Sequence, residues 1–171
     1  MKTRHASALT LLLSLFLATP ANAGSFAAKP CSLISEKTAS AVLHQAMAVA
    51  PAELAHTAGQ CAWTSGGKSL VALAETPQGL TLQLRLEQDG SGGWSRDTAQ
   101  LDHPGGSNGT RITGLGDRAI WIAHSFLGPE LLVQRGGTIV ELQVTPADVS
   151  RKDPVTVAQM RALATEVLTH L

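Results

Sequence analysis

An α+β domain is what this sequence predicts: an antiparallel sheet of two strand meanders, packed against N- and C-terminal helices, with one disulfide. Three observations carry the prediction. One segment near each end repeats apolar residues at i, i+3, i+4, i+7, i+8 and i+11, the spacing of a single buried helix stripe. Much of the sequence between them alternates apolar and polar residues, the period of a strand with one buried face. The only two cysteines, Cys31 and Cys61, stand before the first helical segment and at the start of the first strand segment.

At the N-terminus, Lys2, Arg4 and His5 precede an apolar run over residues 9–18, and Pro20-Ala21-Asn22-Ala23 follows. This is the pattern of a secretory signal peptide cut after Ala23, and the run is too short to span a bilayer. The chain therefore reads as a leader over residues 1–23 and a single α+β domain over 24–171, located in the periplasm or secreted. Cys31 does not follow the cut directly, and Ala28-Lys29-Pro30 is not the run that precedes a lipid-modified cysteine, so a soluble protein is expected.

Of the 13 Lys and Arg, Lys2 and Arg4 fall in the leader, which leaves 11 against 13 Asp and Glu and a net charge of −2. Nucleic-acid binding needs concentrated positive charge to release counterions, and no basic run survives to supply it. No later segment reads as a membrane span. Two cysteines in an exported chain are most simply one disulfide, and a reactive thiol pair would call for a C-x-x-C spacing that is absent.

The first helix is capped by Ser35 and carries Ala39, Val42, Leu43, Ala46, Met47 and Ala50 on its stripe, with Pro51 marking its end. Strands follow at 60–64, which contains Trp63, and at 70–74, separated by the turn Ser65-Gly66-Gly67-Lys68. Leu80, Leu82, Leu84 and Leu86 then alternate with Thr81, Gln83, Arg85 and Glu87. The glycine-rich stretch 88–110 reads as a surface loop holding a short helix over 95–101, with Trp94 and Leu101 as anchors. Strands resume at 118–124 around Trp121, at 131–135, and, after a Gly136-Gly137 hairpin turn, at 138–144. Asp153-Pro154 reads as an N-cap with proline at the first helical position. The closing helix places Met160, Leu163, Ala164, Val167, Leu168 and Leu171 on its stripe.

Taken together, Cys31-Ser32-Leu33-Ile34-Ser35, Gly59-Gln60-Cys61-Ala62-Trp63, Gly114-Leu115-Gly116-Asp117-Arg118-Ala119 and Ala162-Leu163-Ala164 resemble a broad group of bacterial exported domains of unknown function. Many of these are lipoproteins, and their fold is similar to the PsbP-like α/β/α sandwiches. The resemblance covers almost the whole mature chain and implies a fold, a compartment and a Cys31 to Cys61 disulfide. The lipid-attachment cysteine is missing here, so membrane tethering does not carry over, and the group supplies no catalytic residues to transfer.

Several motifs have chemistry to weigh. Gly114-x-Gly116-x-x-Ala119 matches a dinucleotide-binding pattern, but that chemistry needs the turn to open a helix, and here Ile120-Trp121-Ile122 is strand-like. A turn using glycine at positive φ, with a bulge or kink leading into the Trp121 strand, is expected instead. Gly105-Gly106-Ser107-Asn108-Gly109 matches a nucleophile elbow with Asp102 and His103 nearby, yet lacks the strand before and the helix after that hold such a serine. His44 and Met47 at i, i+3 offer soft ligands, although Met47 lies on the core stripe and His44 off it. Trp63 and Trp121 read as core or sheet residues. Trp94 reads as the most exposed tryptophan, with loop anchoring favoured over ligand stacking.

The functional reading is an exported, soluble, non-enzymatic binding or accessory protein of the cell envelope, with no catalytic residues, cofactor or metal assigned. Its partner would be another envelope protein or a small ligand, met through the 88–110 loop (Trp94, Arg96, His103) or an exposed sheet face. Two alternatives are an inhibitor or immunity protein of an envelope enzyme, and a small serine hydrolase using Ser107 with His103 or His124.

Overall fold

A computed structural model describes residues 29–50, 59–65, 79–91, 94, 109–125, 127–148, 150 and 154–171. In chain order the elements are a 3-10 turn at Pro30–Ser32, α1 at Glu36–Leu43, β1 at Ala48–Val49, β2 at Gln60–Thr64, β3 at Leu80–Gln88, a second 3-10 turn at Asp89–Ser91, β4 at Thr110–Ile112, β5 at Arg118–Ser125, β6 at Gly128–Arg135, β7 at Thr138–Pro146 and α2 at Val157–Thr169. Among the described residues the strands form one seven-stranded sheet in the order β1-β2-β3-β7-β6-β5-β4. Every pairing is antiparallel. The α+β class, the sheet packed against both terminal helices, and the disulfide are as the sequence predicts.

The two halves of the sheet meet where β3 pairs with β7 from Leu80↔Pro146 to Gln88↔Thr138. Opposed residues of an antiparallel pair share a face, so Leu82, Leu84 and Leu86 stand against Val144, Leu142 and Val140 on the side that the helices cover. That side is the main core, which also takes Leu33, Ile34, Trp63, Leu131, Val133, Met160, Leu163 and Val167. Both helices belong to it. Gln159 of α2 donates from Nε2 to the Val42 carbonyl of α1 at 2.7 Å, tying the two helices together.

Cys31 and Cys61 form the disulfide, with Cα atoms 5.1 Å apart. It joins the first 3-10 turn to β2, and the buried Leu33 and Ile34 seat the same segment on the core.

Ser35 is the N-cap of α1, its hydroxyl accepting from the Thr38 amide at 2.9 Å. The helix does not continue to residue 50. It stops at Leu43 because His44 takes a left-handed conformation (φ 55°) and the Ser40 hydroxyl accepts from the Met47 amide at 2.8 Å, folding the chain back. Met47 and Ala50 still reach the core, but from the chain around β1, while Ala46 is exposed. Residues 48–49 are therefore strand. The outer edge of that strand is blunted, since the Val49 amide donates to the Glu36 carboxylate at 2.8 Å.

At the C-terminal helix the N-cap is Thr156 rather than Asp153. The Thr156 hydroxyl accepts from the Gln159 amide, and the Gln159 side chain accepts from the Thr156 amide, which makes a reciprocal capping box. Met160, Leu163, Ala164, Val167 and Leu168 are buried as the stripe requires, whereas Leu171 lies beyond the helix and is half exposed. The expected strand at 70–74 and the helix at 95–101 lie outside the described residues.

Candidate functional site

The face of the sheet turned away from the helices has two halves of different character. Over β5, β6 and β7, Ile120, Ile122, Leu132 and Ile139 form a second small core together with Trp94. A ring of contacts fixes Trp94 there. Its amide donates to Asp89 Oδ1 at 3.2 Å; the other Asp89 oxygen accepts from Gln134 Nε2; Gln134 Oε1 accepts from Arg118 Nε at 2.5 Å; and the Arg118 guanidinium lies 4.8 Å from the Trp94 ring centroid. Trp94 is only 8% exposed, so it serves as an anchor and not as the exposed tryptophan that its glycine flanks suggested.

Over β2, β3 and β7 the same face is polar. The register aligns Gln60, Arg85 and Glu141 in one row across the three strands, and Ala62, Gln83 and Gln143 in the next. Arg85 sits between two carboxylates, donating to Glu141 at 3.2 Å and to Glu87 at 3.1 Å. Its charge is thereby balanced locally, which leaves little attraction for an anion. These rows border a groove of about 240 Å³, lined by Gln60, Gln83, Arg85, Glu141 and Gln143, with Leu127 of the β5–β6 turn at its rim. Leu127 is 50% exposed.

The glutamines are the chemically open groups of the groove. Gln143 is 7% exposed, and its Nε2 donates to Ser125 Oγ at 3.4 Å, while its Oε1 accepts no hydrogen bond among the described residues. Gln60 and Gln83 make no side-chain hydrogen bond among the described residues. A primary amide carries two donors and one acceptor, so the three side chains offer both kinds of group at once.

Of the residues singled out from the sequence, Cys31 and Cys61 are joined as a structural link. Arg96, Asp102, His103 and Ser107 lie outside the described residues. His124 is exposed on β5. Met47 is in the core and His44 is exposed at the end of α1, so the helical i, i+3 geometry that would aim both at one ion is absent. Gly114 and Gly116 have φ of +69° and +59° and lead into β5, as a strand-opening turn requires. The irregularity of that strand lies at its far end, between Ile122 and Ser125, where the register with β6 shifts.

Sequence reasoning identified a polar sheet face but did not assemble the groove. Alternation already places Gln83 and Arg85 on the polar side of β3, and Glu141 and Gln143 on that of β7. Their adjacency follows only from the pairing of strands 56 residues apart along the chain. Comparisons with protein-family models, curated proteins and solved structures gave no match.

Proposed function

We propose that this chain is a non-enzymatic binding or accessory protein of the cell envelope, acting through the polar outer face of its sheet. The observation that carries the reading is the groove over β2, β3 and β7, where Gln60, Gln83 and Gln143 present hydrogen-bonding capacity that the described residues do not use. Gln143 lines the groove with an amide oxygen that the described residues leave without a hydrogen bond, a point at which a ligand can gain one. Export is supported by the leader-like residues 1–23, by the Cys31–Cys61 disulfide and by the resemblance to exported bacterial domains.

The test is photo-crosslinking in cells from two positions of the exported protein, Thr81 beside the groove on the same face of β3 and Thr165 on the exposed side of α2. A discrete stoichiometric adduct is expected from position 81 and none from position 165. No adduct from 81, or equal adducts from both, overturns the reading.

A further inference from the structure

We infer that the groove takes an uncharged peptide segment of a partner protein, one or two peptide units long, whose amides pair with Gln60, Gln83 and Gln143 and whose aliphatic side chain rests on Leu127. This rests on the binding reading above and adds the chemical class of the occupant.

The charge of the lining disfavours an anionic ligand first. Arg85 and Glu141 cancel within the groove, and Glu87 takes the second edge of the guanidinium, so an anion meets no uncompensated positive partner. What remains on offer is amide chemistry, donors and acceptors in neighbouring positions, which matches a ligand that itself carries an N–H and a C=O a few ångströms apart. The Gln83↔Gln143 pair is directly opposed across β3 and β7, which places the roots of both side chains about 5 Å apart.

Size and rim narrow the class further. A groove of about 240 Å³ has room for about eight waters, enough for one or two peptide units and too little for a large cofactor. Sugars are commonly held by stacking their apolar face on an aromatic ring, and the described tryptophans lie elsewhere: Trp63 and Trp121 face the helices, and Trp94 is packed on Arg118. Among the described residues the apolar element at the rim is the aliphatic Leu127, which suits a leucine- or valine-like side chain.

The experiment is an NMR titration of the ¹⁵N-labelled mature protein, disulfide intact, with N-acetyl-leucinamide, and separately with N-acetylglucosamine and with acetate. N-acetyl-leucinamide is expected to shift the side-chain NH₂ signals of Gln60, Gln83 and Gln143, with acetate leaving them in place. Gln83→Ala, at an exposed position, should weaken the peptide response about tenfold, and Gln143→Leu should do at least as much. Because Gln143 is buried, Gln83→Ala decides the matter if Gln143→Leu fails to fold. Unmoved glutamine signals, an equal or larger response to N-acetylglucosamine or acetate, or an unchanged response in Gln83→Ala would each overturn the inference. If position 81 still crosslinks in cells while the peptide probe fails, the occupant class is wrong and the binding reading stands. Failure of both removes the two together.

Discussion

Replacing Gly116 by alanine sets a specific cost against a matched control. Gly116 and Gly136 have almost the same backbone conformation, φ +59° and +56°, so alanine at either position carries the same left-handed penalty of about 1–2 kcal/mol. Their surroundings differ. A Cβ at Gly136 meets nothing within 4 Å, whereas one at Gly116 would overlap the Gln134 carbonyl oxygen and stand 2.7 Å from Val133 Cγ1. The β6 backbone cannot yield, so the Gly114–Asp117 turn must move. Moving it breaks two bonds that dock the turn on the β6–β7 hairpin: the Asp117 amide to the Gln134 carbonyl at 2.7 Å, and the Gly136 amide to the Asp117 carboxylate at 2.6 Å. At about 1 kcal/mol net for each, Gly116→Ala should cost about 3–4 kcal/mol and Gly136→Ala about 1–2. Urea unfolding measures the difference, which at an m-value near 2 kcal/mol per molar separates the two midpoints by roughly 1 M. Equal midpoint shifts would refute the reasoning, because they would show that φ alone sets the cost.

Three further outcomes follow from the same structure. Removing the disulfide with Cys31→Ala and Cys61→Ala should lower stability by about 3.6 kcal/mol for a separation of 30 residues, with the fold retained because Leu33 and Ile34 stay buried; an unchanged urea midpoint would show that the loop is already closed in the unfolded chain. Trp63 is fully buried with its Nε1 unpartnered among the described residues, so Trp63→Phe removes an orphaned donor as it removes volume. It should cost within about 1 kcal/mol, against about 3–5 for Trp63→Ala, and near-equal losses in thermal or urea unfolding would contradict that account. Finally, the Ser150 hydroxyl, and then its backbone amide, hold the Asp148 carboxyl below its usual range. A lowered folded-state value contributes stability that is fully present above the ordinary carboxylate pKa and is lost as pH falls through the lowered folded-state value. Ser150→Ala should move the Asp148 titration upward in a ¹³C NMR pH series, and an unmoved titration would remove the hydroxyl as the cause.

Much of the fold is legible because it is encoded in short-range sterics. Ser35 as a cap, the Leu80–Leu86 alternation, the Gly136-Gly137 turn and the positive φ at Gly114 and Gly116 each depend on a few neighbouring residues. Where a local pattern admits two structures, the sequence did not decide between them. The stripe from Ala39 to Ala50 fits a continuous helix, and it fits equally a short helix followed by a chain that turns back onto the same core. His44 and Ser40 select the second. The two-residue β1 and three-residue β4 are too short to show alternation, and they exist because longer strands beside them offer unpaired edges.

By itself, then, the sequence determined the class of fold, the faces of its longer elements, the two cysteines that pair and the glycines that must turn. Only the tertiary structure decided which strands lie side by side. That choice comes from burying the leucines of β3 against the valines of β7, a gain that no local window contains. The candidate site depends on it entirely. Gln60, Gln83 and Gln143 are unremarkable polar residues along the chain, and they become one groove because the core on the opposite face of the sheet holds their strands in register.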